Sequence, residues 1–196
     1  MFDIPLESII VSLGYLGIFL LMIANGFISF PSSQILYIIV GYFISIGTLA
    51  LVAASLVGAL GNTIGNIILY EFSRRKGISY ITQYKMFPQR EVKKVEIAFR
   101  KKGAWFLFVG KLLPAIKVFV PIPAGLGKMN RTLYAVIIFV SSYIWSLIFI
   151  AIGYYFGKSS NVFGSYAVIL MIVALVVVAL FYKYINSEEI AREIEE

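Results

Sequence analysis

Two lysines carry the sharpest chemical signal in the chain. Lys111 and Lys117 stand six residues apart in the run VGKLLPAIKVFVPIPAG, which is otherwise free of charge. A charge at the centre of a bilayer costs about 3 kcal/mol on insertion scales, so lysines inside an apolar stretch mark a site rather than decoration. On an unbroken helix six residues turn through about 600°, which would point the two ammonium groups well apart. Pro114 lies between them and breaks such a helix, so both can be redirected to one cavity. The blander alternative is snorkelling to the membrane surface, since Lys111 follows Lys102 by only nine residues. An anion site accounts better for two lysines beside one proline.

Neutral polar residues form a second set. Asn25, Ser29, Ser32, Ser33 and Gln34 gather around Pro31, and Asn62 with Asn66 one turn later falls in a long apolar run. They either satisfy a broken backbone or line a cavity opposite the lysines, and both readings stay open. Gly58, Gly61 and Gly65 have the small-residue spacing that lets helices approach closely.

Composition narrows the chemistry further. The 196 residues include no His and no Cys. Thiol nucleophiles, Cys/His zinc sites, His-ligated haem, phosphohistidine chemistry and the Ser-His-Asp arrangement are therefore out of reach. No nucleophile–base pair or cluster of metal ligands is evident, so neither a cofactor nor a metal is expected and an enzyme is the least favoured class. The chain is 60% apolar and only 14% charged, with mean hydropathy +0.90. A soluble domain runs nearer a quarter charged. These values describe a polytopic membrane protein of one compact domain. The net charge of +7 then reads as cytoplasmic loops beside anionic lipid, not as a nucleic-acid surface.

The elements that must position these residues follow from the apolar runs. The opening MFDIPLESII carries Asp3 and Glu7 and no basic leader, so the first apolar stretch is read as mature structure. It runs from Ile9 to about Phe30, pauses at Pro31-Ser32-Ser33-Gln34, and resumes from Ile35 to Tyr70 with a break near Gly47-Thr48. As a helix, residues 34–46 would rise only about 20 Å against a hydrocarbon core of about 30 Å. Two short limbs around a Pro-Ser-Ser turn predict a re-entrant hairpin, with a full span at 48–72. An ordinary span at 9–30 is the competing arrangement.

The next stretch, 74–102, holds ten Lys/Arg and only Glu91 and Glu96. Phe87, Val92, Val95 and Phe99 fall near one face of an amphipathic helix that Gly103 ends, a pattern suited to the membrane interface or, alternatively, to a partner protein. Pro114, Pro121 and Pro123 interrupt 104–126, which predicts a second re-entrant hairpin turning towards Gly125. Spans at 132–156 and 162–184 and an acidic tail at 187–196 complete the expectation.

The two halves repeat. At a shift of 84 residues Gly41 meets Gly125, Thr48-Leu49 meets Thr132-Leu133, and the stretch from Tyr70 to Arg74 meets that from Tyr154 to Lys158. The fold class predicted is thus an all-α polytopic membrane protein in one domain over 1–186. It has two inverted repeats (about 9–77 and 103–158), each a hairpin followed by a span, plus an interfacial helix and a last span. Basic residues place 74–102 and the C-terminus in the cytoplasm of a cell-membrane protein.

These motifs resemble the DedA family, also called SNARE-associated or VTT-domain proteins. Phe108 followed by Lys111-x-x-Pro114-x-x-Lys117, then Gly125 and Met129, is similar to the family's aromatic, Arg-x-x-Pro-x-x-Arg and Gly-x-x-x-Met segments. Gly58-Ala59-Leu60-Gly61-Asn62 with Tyr70, Arg74 and Gly77 resembles its Gly-Ala-x-x-Gly-Asp…Tyr…Gly-Arg-x-x-Gly stretch, and Pro31-Ser32-Ser33-Gln34 its Pro-Ser-Glu turn. The departures are systematic, with lysines in place of both arginines. Gln34 and Asn62 stand where the family has acids, and Asn25 falls near an earlier one. The resemblance implies transbilayer movement of a polyprenyl phosphate or phospholipid. The family's acids are associated with proton coupling, which amides cannot serve.

The expectation is a transporter that flips an anionic lipid carrier, with the phosphate bound at hairpin tips by Lys111 and Lys117. Asn25, Gln34, Asn62, Ser32 and Ser33 join the binding set, and Pro31, Pro114, Pro121, Pro123 and Gly125 shape the turns. An energy-independent phospholipid scramblase is the alternative, and a non-transporting membrane assembly protein docking through 88–102 is the second alternative. The partner is an anionic membrane lipid, with self-association left open.

Overall fold

A computed structural model describes residues 14–77, 88–113 and 116–158, together with Val176, Leu180 and Lys183. The expected last span at 162–184, the acidic tail, the amino-terminal stretch and Pro114 lie largely or wholly outside the described residues. Within them every regular element is a helix: α1 (Tyr15–Ile28), α2 (Ser33–Ser45), α3 (Leu51–Lys76), α4 (Gln89–Lys111), α5 (Pro121–Leu126) and α6 (Arg131–Lys158).

Two helices are long and apolar enough to cross a membrane, α3 with 26 residues and α6 with 28. Their exposure pattern suits lipid better than water. Val52, Leu56, Leu60, Ile64 and Ile68 of α3 are all exposed, one every fourth residue, whereas Ser55, Asn62, Thr63, Asn66 and Ser73 are buried. On α6, Leu133, Val136, Val140 and Ile148 face outward while Ser141, Ser142 and Ser146 are buried. Helices with polar residues inside and an apolar stripe outside are stable only where the solvent is apolar, because lipid leaves polar groups no outside partner. The protein is a membrane protein.

The chain divides into two compact units. The first joins Met1–Asn66 to Phe139–Tyr166, and the second joins Ile67–Ile138 to Ala167–Glu196. Long helices α3 and α6 each contribute to both.

In the first unit α1 and α2, of 14 and 13 residues, rise about 20 Å each, less than a hydrocarbon core of about 30 Å. Ser29 in the left-handed conformation ends α1, its N–H bonding to Asn25 O at 2.9 Å. Phe30–Pro31 is a cis peptide. Glycines set the packing. A Cβ on Gly61 would lie 2.4 Å from Phe19 O, and one on Gly65 2.1 Å from Ile23 O, so α1 lies directly on the backbone of α3. Gly41 of α2 likewise leaves no room before Ile150 O of α6, at 2.2 Å.

In the second unit α4 departs from helical geometry at Gly103 (φ 56, ψ −136) and then continues to Lys111. The sequence reading stopped the helix there; the structure bends it instead, since glycine alone adopts that conformation without strain. The apolar face expected at the membrane interface is covered by the protein itself. Val92 packs with Leu69 and Ile122, and Val95 with Ile97, Ala98 and Phe106. Trp105, 67% exposed and stacked on Phe108, points outward instead. Pro121 and Pro123, expected to interrupt, open the first turn of α5. There a missing N–H leaves no hydrogen bond unmade.

Candidate functional site

Lys111 is the last residue of α4 and is only 6% exposed. Beyond it the helix tightens, as Leu112 N–H bonds Val109 O at 3.0 Å and Leu113 N–H bonds Gly110 O at 3.2 Å. Further turns carry the chain on, with Lys117 N–H on Leu113 O at 3.0 Å and Phe119 N–H on Ile116 O at 2.8 Å. Lys117, six residues on, is half-buried. On the same stretch of chain Leu107, Val120 and Ile116 belong to an apolar cluster with Tyr70, Ala124, Tyr134 and Ile138.

The amides and serines lie in the first unit, so the structure groups the predicted residues as two sets. Asn62 Nδ2 donates to Asn25 Oδ1 at 2.9 Å, and Asn25 Nδ2 donates to Pro31 O at 2.6 Å. Asn62 Oδ1 accepts from Ser142 Oγ at 2.9 Å and from Asn66 Nδ2 at 3.1 Å. This chain of bonds ties the turn at Pro31 to α3 and α6. Its members are nearly inaccessible, Asn25 at 5% and Asn62 at 4% exposure. Ser32 Oγ and Ser33 Oγ donate to Gln34 Oε1 at 3.0 and 3.3 Å, and Trp145 Nε1 donates to Ser33 Oγ at 3.2 Å. Asn25 and Asn62 thus hold the hairpin turn together, which is one of the two roles the sequence left open. Half-buried Ser32 and Gln34 remain at its surface.

The structure also reveals a cluster whose residues the motifs contained but whose meeting they did not announce. In the second unit Tyr70 Oη donates to Met129 O, and Arg74 Nη1 donates to Tyr70 Oη at 2.7 Å and to Met129 O at 3.2 Å. Tyr134 stacks on Tyr70 with centroids 4.4 Å apart. Gly125 makes this possible, for a Cβ there would lie 2.4 Å from Tyr70 O. The signal available in sequence was the motif itself, Tyr70 and Arg74 on one segment and Gly125 and Met129 on another. Among the described residues no group of His, Cys, Asp and Glu could hold a metal ion.

The chain has relatives among known proteins. Undecaprenyl phosphate transporter A of Bacillus subtilis is 28% identical over 87% of this chain and 88% of its own. The protein of the same name from Staphylococcus aureus is 25% identical over 90% and 93%. An alkaline phosphatase-like protein of Lactococcus lactis is 26% identical over 87% of each chain. No solved structure matches. The model of the VTT domain matches residues 30–155, so the chain belongs to the VTT-domain, or DedA, family.

Proposed function

We propose that the protein carries an anionic polyprenyl-phosphate lipid across the bilayer, with Lys111 and Lys117 as its phosphate site. The observation that carries this reading is Lys111, almost wholly buried at the end of α4, with half-buried Lys117 six residues on. Lysine binds phosphate as a point charge, without the planar fork of arginine. Relatives named for undecaprenyl phosphate transport support the substrate class, and they also favour a carrier over an enzyme.

The movement that carries the lipid is a rocking of two re-entrant hairpins, α1–α2 and the pair formed by the end of α4 with α5. Support for their being repeats comes from a contact made twice. Gly41 packs on Ile150, Gly153 and Tyr154, and Gly125, 84 residues on, packs on Tyr70, Ser73 and Arg74. Tyr70 and Tyr154 are themselves 84 residues apart. In this arrangement the basic ends of α3 and α4 face the cytoplasm.

A second reading, an energy-independent scramblase, is favoured by one feature. The described residues of the first unit contain no carboxylate, and Lys158 is their only charged side chain. The test is leaflet exchange in liposomes of a fluorescent polyprenyl phosphate and a neutral lipid, with and without Lys111→Ala/Lys117→Ala. Selective exchange lost in the double variant supports the carrier. Equal exchange of both lipids selects the scramblase, and phosphate release from the substrate would revive the enzyme class that the Lactococcus relative's name suggests. Wild-type exchange by the double variant overturns the lysine site.

A further inference from the structure

We propose that Arg74 and Lys128 form a second anion site, which takes the phosphate group of a membrane lipid at the polar end of α3. The inference goes beyond the carrier reading and stands without it.

Arg74 is half-buried in the last turn of α3, and its environment is unusual for a guanidinium. Its described partners are two neutral oxygens, Tyr70 Oη at 2.7 Å and Met129 O at 3.2 Å, both reached from Nη1. It makes no ion pair among the described residues. The one acid on α3, Glu71, is engaged elsewhere. Arg131 reaches it through Nε at 2.6 Å and through Nη2 at 3.1 Å, and Arg75 stands at 3.7 Å. Arginine carries five N–H donors, and toward the described residues the Nε and Nη2 side of Arg74 keeps its fork for a planar or tetrahedral oxyanion.

The neighbouring loop supplies the second cation. Gly125 lies against Tyr70 O, Ser73 Cβ and Arg74 N, which fixes the 127–130 segment on this end of α3. Lys128 precedes Met129, whose carbonyl Arg74 holds, and is exposed. Its backbone is left-handed, at φ 49. That conformation costs a lysine about 1 kcal/mol or more, which a glycine would avoid. A lysine stands where the geometry prefers glycine, and that fits a role for its charge.

The chemistry selects a phosphate at headgroup depth. Alpha-helix α3 is long and apolar enough to cross a membrane, and Arg74, Arg75 and Lys76 are its last residues. The end of a spanning helix lies among lipid headgroups, where anionic phosphates are the concentrated partner. Arg74, oriented by Tyr70 and Met129, binds two phosphate oxygens, and Lys128 adds a mobile point charge.

Binding to the folded state raises the thermal unfolding midpoint, so that midpoint reads the site. Purified full-length protein in detergent is titrated with dioctanoyl phosphatidic acid, dioctanoyl phosphatidylcholine or inorganic phosphate. Wild type, Lys128→Gln, Arg74→Lys and Arg74→Gln are compared, each also in the Lys111→Gln/Lys117→Gln background. Phosphatidic acid should stabilise that background, and Arg74→Lys should weaken its apparent affinity roughly tenfold by losing the two-point contact. Lys128→Gln should weaken it several-fold. Among the described residues the Lys128 side chain makes no hydrogen bond or ion pair, so this variant decides the matter if Arg74→Gln proves unstable. Unchanged affinity in Lys128→Gln and Arg74→Lys would overturn the site. So would loss of all binding in the background, which would leave Lys111 and Lys117 as the only phosphate site. Inorganic phosphate acting as well as the lipid would overturn the lipid assignment in favour of a free anion.

Discussion

Asn62 holds three neighbours at once, donating to Asn25 and accepting from Ser142 and Asn66. Replacing it by alanine leaves buried donors and an acceptor without their partner, in a part of the protein where water cannot substitute. Each such group costs about 1–3 kcal/mol. Asn62→Ala should therefore lower the unfolding midpoint by several degrees, and Ser142→Ala by less, as it removes one bond only. If Asn62 instead served a lipid and not the fold, the variant would unfold like wild type and lose exchange alone; paired melting and exchange measurements separate the two outcomes. The sequence displayed these residues without displaying their pairing. Asn25 and Asn62 are 37 positions apart and Asn62 and Ser142 are 80 apart, distances over which residue type says nothing of partner. The lysines stood out for the opposite reason, because a charge in an apolar run is conspicuous from residue type alone.

Elements were legible where one physical signal sufficed. The pause at Pro31 predicted a helix over 34–46, and α2 covers Ser33–Ser45. The span expected at 48–72 is α3, Leu51–Lys76. Polarity suggested an end at Phe72, yet Arg74, Arg75 and Lys76 continue the helix, since cations favour the negative end of the helix dipole. Gly77, with φ 78, then stops it. Proline divided the apolar stretch 104–126 as expected: α4 ends at Lys111, and Pro121 and Pro123 sit at the start of a separate helix, α5. Close packing was foreseen at Gly58, Gly61 and Gly65, but not that Gly58 would meet the Tyr37 ring and the other two the backbone of α1. Gly125 gives the sharpest test of this packing. A Cβ there would lie 2.4 Å from Tyr70 O and 2.7 Å from Ser73 Cβ, whereas one on Gly110 would meet side chains alone, the nearest Val120 Cγ2 at 3.1 Å. Gly125→Ala must separate α5 from α3, and overpacking of this kind costs about 1–3 kcal/mol. Its midpoint should fall well below that of Gly110→Ala; equal midpoints would show that α5 yields without loss.

At the scale of the whole molecule the open matter is how often the chain crosses the bilayer, and the absence of cysteine makes it directly measurable. Helix length argues for return rather than crossing. The end of α4 beyond its bend at Gly103 and the six-residue α5 are both shorter than the roughly 20 residues a span requires. If the chain between them turns back, Lys102 and Lys128 lie on one side of the membrane and Thr48, at the other end of α3, on the opposite side. If it crosses instead, Lys102 and Lys128 are separated by the bilayer. Single cysteines at Thr48, Lys102 and Lys128, all three exposed positions, can be labelled in right-side-out cells or vesicles with a membrane-impermeant maleimide. The re-entrant arrangement requires Lys102→Cys and Lys128→Cys to be labelled or protected together, with Thr48→Cys the reverse of both. Opposite behaviour of the two lysine positions would remove the second hairpin. It would also invert the direction of α6, leaving Lys111 and Lys117 on a segment that passes through the membrane rather than at the tip of one that enters and leaves.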